Sequence, residues 1–205
     1  MRAHLSLGAA DTNAIIWNRT AVILAALLCA TSATRAQSRP IDTAKSTMTV
    51  HVGKAGVLSG FGHNHVIAAP ISGGAVDTSA RRVELTVNAS ALRVRDPDTS
   101  EKDRAEIQKN MLGPEVLDAD RHREIAFKST AIEAAGEGAW TVSGNLTLHG
   151  TTRPVTFDVR QKEAHYIGSA GVRQSDFGMK PVKAAGGTVK VKDEVRIEFD
   201  IQLAR

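Results

Sequence analysis

The chain has 205 residues, with 26 Lys and Arg against 22 Asp and Glu, a single Cys and 4% aromatic residues. That length suits one domain, or two at most, and leaves enough chain for a sizeable core. A hydrophobic content of 42% and a charged content of 23% exclude wholesale disorder, and 17 Gly and 6 Pro without a period exclude a collagen-like chain.

The N-terminal segment decides what is left to fold. Residues 21–30, AVILAALLCA, are an apolar run, far shorter than the ~20 residues a spanning helix needs. Arg19 stands just before it, and Thr34-Arg35-Ala36 follows with small residues where a signal peptidase reads them. The pattern is that of a secretory signal peptide over residues 1–36, cut after Ala36 or, alternatively, after Ala33. Lipid attachment at Cys29 is a competing reading, disfavoured because Leu28 occupies the place of a small residue.

Without residues 1–36, which carry Arg2, Arg19, Arg35 and Asp11, the domain 37–205 keeps 23 basic and 21 acidic residues, a net charge of +2. It has no Cys, hence no disulfide framework and no thiol nucleophile. It has no basic patch interleaved with aromatics either, so nucleic acid is not an expected partner.

Period-2 alternation runs through this domain and predicts antiparallel strands with one apolar and one wet face. Met48, Val50 and Val52 alternate with Thr49 and His51; Val83, Leu85, Val87 and Ala89 with Glu84, Thr86 and Asn88. Trp140, Val142, Gly144, Leu146 and Leu148 form a third apolar row, and Val155, Phe157 and Val159 a fourth. The cleanest row is the last: Val195, Ile197, Phe199, Ile201 and Leu203. Turns are expected at Ser72-Gly73-Gly74, Gly136-Glu137-Gly138, His149-Gly150 and Ala185-Gly186-Gly187, the third tight enough for a hairpin.

One helix is predicted over residues 100–112. Ser100 and Asp103 fit a capping pattern, Ile107, Met111 and Leu112 give a narrow apolar stripe, and Gly113-Pro114 stops it. It would either cover one end of the sheet structure or act as a lid. About eight strands and one helix leave a closed barrel or a sandwich. Only seven aromatics remain after residue 36 (Phe61, Phe127, Trp140, Phe157, Tyr166, Phe177 and Phe199), so Val, Ala and Gly dominate the inward positions. Small inward residues leave room for a guest in an eight-strand barrel.

Several segments together resemble the YceI-like family. Gly144-Asn145-Leu146-Thr147-Leu148-His149-Gly150-Thr151-Thr152-Arg153-Pro154-Val155 is similar to its G-D-L-T-I-H-G-V-T-K-P-V hairpin. Arg173-Gln174-Ser175-Asp176-Phe177-Gly178 resembles its R-x-D-F-G segment, and Asp193-Glu194-Val195-Arg196-Ile197 the opening of its last strand. Ile41-Asp42 through Val50, and Leu117-Asp118-Ala119 through Thr130, follow in the same order, so the resemblance covers roughly residues 41–205. It implies an all-β, eight-stranded antiparallel lipocalin-like β-barrel with one short helix covering an end. It also implies an exported, periplasmic or secreted protein, monomer or homodimer, without a transmembrane anchor. The implied ligand is a long isoprenoid lipid, a polyprenyl quinone or polyprenyl phosphate, held in the lumen with no other cofactor required and no catalytic residue. The expected lumen residues are Val83, Leu85, Val87, Val142, Leu146, Leu148, Val155, Phe157, Val159, Ile197, Phe199 and Ile201.

The chain departs from the family pattern at Val116-Leu117-Asp118 and His122-Arg123-Glu124, where aromatics are usual, and in Phe61-Gly62-His63-Asn64-His65-Val66, which is rich in His. His63 and His65 are two apart, so on a strand both rings share a face. They are read as solvated polar residues, as contacts for a ligand headgroup, or as two ligands of a metal site completed from elsewhere. The last reading gives the alternative function, a periplasmic metal-binding protein. No G-x-S-x-G elbow, phosphate loop or H-E-x-x-H helix is present in the sequence, so no enzyme is expected.

Overall fold

Alternation of inward apolar and outward polar residues organises the computed structural model, which describes residues 38–55, 64–184 and 189–204. All of these lie in one compact unit, residues 36–205. The expected signal peptide and its cleavage site fall outside the described residues, as do His63 and the Ala185-Gly186-Gly187 turn.

The chain runs through β1 (Ser38–Pro40), β2 (Thr47–Ala55), β3 (His65–Ala68), β4 (Ile71–Asp77), β5 (Arg82–Asn88) and β6 (Arg93–Val94) to the helix α1 (Glu101–Leu112). Then follow β7 (Glu124–Gly136), β8 (Ala139–Leu148), β9 (Thr151–Lys162), β10 (His165–Arg173), β11 (Lys183–Ala184) and β12 (Val189–Gln202). Every pairing is antiparallel, in the order β1-β4-β5-β7-β8-β9-β10-β12-β2-β3-β6, with β11 added on β12.

The expected count of eight strands is thus corrected: the described residues form a 12-stranded curled sheet. Eight of its strands have seven residues or more. The extra four are short. Pro40 ends β1 and Pro70 follows β3, and a proline cannot donate to a ladder. The sheet curls as a lipocalin-like barrel does. A strap after β1 joins β4 to the end of β12: Ile41 bridges Leu203, the Ile41 N–H donates to the Gly74 carbonyl at 2.9 Å, and the Ala204 N–H to the Pro40 carbonyl at 2.9 Å.

Register sorts the connections to two ends. The β4–β5, β7–β8 and β9–β10 turns share one end. Helix α1, residues 113–123, the β8–β9 hairpin and a 3-10 turn (Gln174–Phe177) share the other. The β8–β9 loop has only His149 and Gly150, with φ of 50° and 71°, the geometry of a type I′ turn that matches strand twist.

The predicted turn at Ser72-Gly73-Gly74 is instead a bulge inside β4, between Ile71 and Gly73. Two glycines there answer a close approach rather than a reversal. A Cβ on Gly74 would lie 2.4 Å from the Glu84 carbonyl oxygen, and its φ is +150°.

Helix α1 forms as predicted. Ser100 accepts from the Asp103 N–H at 3.1 Å, satisfying one of the orphan donors of the first turn. Gln108 fixes the helix to β6: its Oε1 accepts from Val94 N–H at 2.8 Å and its Nε2 donates to Leu92 at 2.8 Å. Arg104 Nη2 donates to the carbonyls of Asp96 and Thr99 at 3.0 and 2.9 Å. These bonds clamp α1 at two levels. The 3-10 turn beside it is held from β12, where Asp193 accepts from Ser175 N–H at 2.8 Å and Ser175 Oγ at 2.6 Å.

Those bonds, the Ser175 hydroxyl first, lower the pKa of the Asp193 carboxyl. A depressed carboxylate stabilises the fold above its unfolded pKa, and that contribution disappears as pH falls through the folded value. Asp193→Ala is therefore expected to lower the thermal midpoint at pH 7 and to match the wild type near pH 2. Calorimetry at the two pH values checks this.

Candidate ligand-binding lumen

The inward face of the curled sheet encloses a cavity of about 450 Å³, within the ~300–1,000 Å³ range of small-molecule sites. All twelve lumen residues expected from the sequence line it. Val87, Val142, Leu146, Leu148, Val159 and Ile201 are buried, whereas Val83, Leu85, Val155, Phe157, Ile197 and Phe199 are only partly so. Inward residues of a filled core would all be buried. These keep exposed surface because they face a space.

Two of the bulky inward side chains, Phe127 and Phe199, lie on glycines, which leaves space beside them. A Cβ on Gly144 would fall 2.5 Å from Phe127 Cζ, and one on Gly168 would fall 2.5 Å from Phe199 Cζ. Each ring therefore covers a position in the wall where no side chain stands, the arrangement by which aromatics shield strand glycines. Phe157 joins the two rings, with centroids 5.3 Å from Phe127 and 5.5 Å from Phe199, ordinary aromatic pair spacings. Three strands, β7, β9 and β12, are tied by this row.

The two ends differ. At the covered end Met111, Val116, Leu117 and Met179 reach the lumen from outside the sheet, and Gln174 is occupied by a bond from its Nε2 to the Lys192 carbonyl at 2.8 Å. Sequence periodicity missed these because they sit on the helix and on loops. At the turn end the lining becomes polar with Asp77, Thr78 and Arg81, all on the β4–β5 turn. Asp77 accepts from Ala80 N–H at 2.8 Å and Ser79 Oγ at 2.7 Å, bonds that lower its carboxyl pKa and keep it ionised. Arg81, exposed and at φ 48°, forms no ion pair among the described residues. Nothing in the pattern DTSAR singles it out beforehand. Trp140 and Tyr166, 6.1 Å apart, line the same half.

His65 begins β3, away from that mouth. Its Nδ1 is 2.6 Å from Asp96 Oδ2, and Asp96 Oδ1 accepts from Val66 N–H at 2.7 Å. Asp96 is 2% exposed, so this carboxylate takes up its hydrogen bonds inside the protein and holds the His65 ring by one nitrogen.

A family model described as the YceI-like domain matches residues 40–203. The chain belongs to the YceI-like family. A UPF0312 protein of Shewanella oneidensis is 26% identical over 181 residues, covering 87% of this chain and 86% of that protein. One from Serratia proteamaculans is 33% identical over 117 residues, 57% of this chain and only 53% of that relative, about half its length. The crystal structure of Burkholderia cenocepacia BcnA has a TM-score of 0.56 at 21% identity, over 80% of this chain and 99% of that one. That likeness carries the fold. Among the described residues, no helix of this YceI-like chain is long and apolar enough to cross a membrane.

If Gly144 makes the space, Gly144→Ala should close part of it. The new methyl would meet the Phe127 ring and, at 2.5 Å, the Lys128 carbonyl oxygen, so the ring must swing inward. A loss of about 2 kcal/mol is expected, in the range for overpacking. Gly171→Ala is the control, because its Cβ would meet only the Glu194 carboxylate end, at 3.1 Å. Thermal melts of both variants should separate them by several degrees.

Proposed function

We propose that this YceI-like chain is an exported protein of the bacterial periplasm that holds a long isoprenoid lipid in its lumen, for storage or transport. The observation that carries the reading is the hollow apolar lumen, lined along its length by residues that leave it unfilled, with its charged lining residues, Asp77 and Arg81, at its turn end. Such a shape suits a ligand with a long apolar tail and a small polar head. At ~0.8 kcal/mol per buried methylene, about twenty buried carbons are worth roughly 16 kcal/mol gross. If about half survives ordering and association costs, the affinity is micromolar. The isoprenoid class, in either its quinone or its phosphate form, comes from family membership. The apolar run before Ala36 supplies the export signal in this reading. Holding a lipid requires no nucleophile, base or metal, so the function is binding rather than catalysis.

Arg81 and Thr78 sit where the head would emerge, and a guanidinium matches a phosphate better than a neutral carbonyl. The deciding experiment is native mass spectrometry of the protein exported in a bacterial host and purified without detergent. An adduct of several hundred daltons that fragments as a prenyl lipid is expected. Val155→Trp, placed on the half-buried wall, should remove the adduct while leaving the melting temperature within a few degrees. A tryptophan variant that keeps full lipid occupancy would sink the lumen reading.

Arg81→Ala then separates the two headgroups. It should weaken binding of a polyprenyl phosphate by about tenfold and leave a polyprenyl quinone nearly unchanged, as read by titration with each lipid.

A further inference from the structure

Outside the lumen, three side chains able to bind metal converge at the covered end: Asp118, His122 and His149, each offering a ligand atom within 4.8 Å of the others. They come from two separate turns. Asp118 lies after α1 with φ 43°, anchored by its N–H to the Gly113 carbonyl at 2.8 Å. The chain then coils back, so that the His122 N–H donates to the Asp118 carbonyl at 2.8 Å and both side chains emerge together. His149 is the first residue of the two-residue β8–β9 turn, also at a left-handed φ.

The environment prepares the histidines for coordination. His149 Nδ1 is 3.0 Å from the Phe177 carbonyl oxygen, which can only accept. That nitrogen therefore carries the proton, and Nε2 holds the free lone pair. A ring fixed through its other nitrogen by a carbonyl is the usual outer support of a metal-ligating histidine. His122 packs edge-on to it, with centroids 4.8 Å apart and planes at 67°. Gly150 makes the approach possible: a Cβ there would fall 2.6 Å from His122 Cε1. The Asp118 side chain is 11% exposed, and Arg121, its ion-pair partner at 3.6 Å, is 80% exposed.

We propose that Asp118, His122 and His149 bind a divalent transition-metal ion of the zinc class, which braces the segment after α1 against the β8–β9 hairpin. Two imidazoles and one carboxylate are a three-ligand zinc set that leaves a fourth position for water. Zinc–ligand bonds of ~2.0–2.2 Å put tetrahedral ligands about 3.3 Å apart, so the donors need to close by about 1.5 Å at most. His122 and His149 are only half-buried, so rotation of their rings can supply that closure. Leu117 and Leu148, the residues just before Asp118 and His149, line the lumen, so the ion would stiffen the covered end of the cavity. The site is distinct from His65, whose ring is held by Asp96, and it does not depend on the lipid reading.

The test is calorimetric titration of the chelator-stripped protein with Zn²⁺. One equivalent should bind to the wild type, His122→Gln and His149→Asn should each weaken binding at least tenfold, and His65→Gln should leave it unchanged. Asn is chosen at His149 because it tolerates a left-handed backbone. Wild-type protein loaded with Cu²⁺ reads the donor set without any variant: its electron paramagnetic resonance spectrum should show coupling to two imidazole nitrogens. The proposal is overturned by no stoichiometric Zn²⁺ binding, by binding that survives both His variants, by loss through His65→Gln instead, or by a copper spectrum without two nitrogens.

Discussion

The contact on which the lumen depends is an aromatic ring lying over a glycine. A curled sheet of this size turns one face inward along every long strand, and burial alone would fill that interior. Here the bulky inward residues Phe127 and Phe199 spread over Gly144 and Gly168 instead of standing across the space. The wall thereby gains aromatic packing through Phe157 without spending the interior on it. Each glycine weakens its strand slightly, by roughly 0.5–1 kcal/mol relative to alanine, and the ring that covers it offsets that loss. The hollow interior thus depends in part on where the glycines stand.

The ends carry different burdens. At the covered end Gln108 and Arg104 replace missing strand partners with side-chain bonds to backbone, so a helix with a weak apolar stripe still stays fixed. Asp193 does the same for the 3-10 turn. Among the described residues, no helix covers the turn end. The β1 strap crosses between β4 and the end of β12, but the β4–β5 turn remains exposed with its charged residues. The charged residues of the lining are therefore gathered at one end of the lumen.

Much of the wall was legible because alternation is a physical necessity on a sheet with one wet face. Every lumen residue named, from four of the five periodic runs, lines the cavity, and the Ser100 cap and Gly113-Pro114 stop mark α1 to within a residue. Legibility failed where side chains stop obeying period 2. β4 reads ISGGAVD, with too few apolar residues to register as a strand, and its glycines signalled a turn when they mark a bulge. β10, HYIGSAGVR, hides behind Gly and Ser for the same reason. The histidines differ in another way. His63 and His65 are neighbours in sequence, with His63 outside the described residues, whereas the geometric cluster joins Asp118 and His122 to a residue 27 positions beyond. Spacing of i, i+4 between Asp118 and His122 was the available signal, and His149 in a His-Gly turn gave none.

These failures have a common physical root with function. Inward alternation places apolar side chains but says nothing of which apolar molecule they face, since dispersion and burial are nearly indifferent to a chain's chemistry. Discrimination has to come from groups with direction: a guanidinium, a hydroxyl, an imidazole with a fixed lone pair. Such groups sit on the turns, several of them at left-handed backbone positions, as Arg81, Asp118 and His149 do. A positive φ aims a side chain where neither a strand nor a helix would, at a cost of about 1–3 kcal/mol that the surrounding packing must sustain. The wall of this YceI-like protein therefore sets an apolar lining, and the side chains with direction stand on its strained turns.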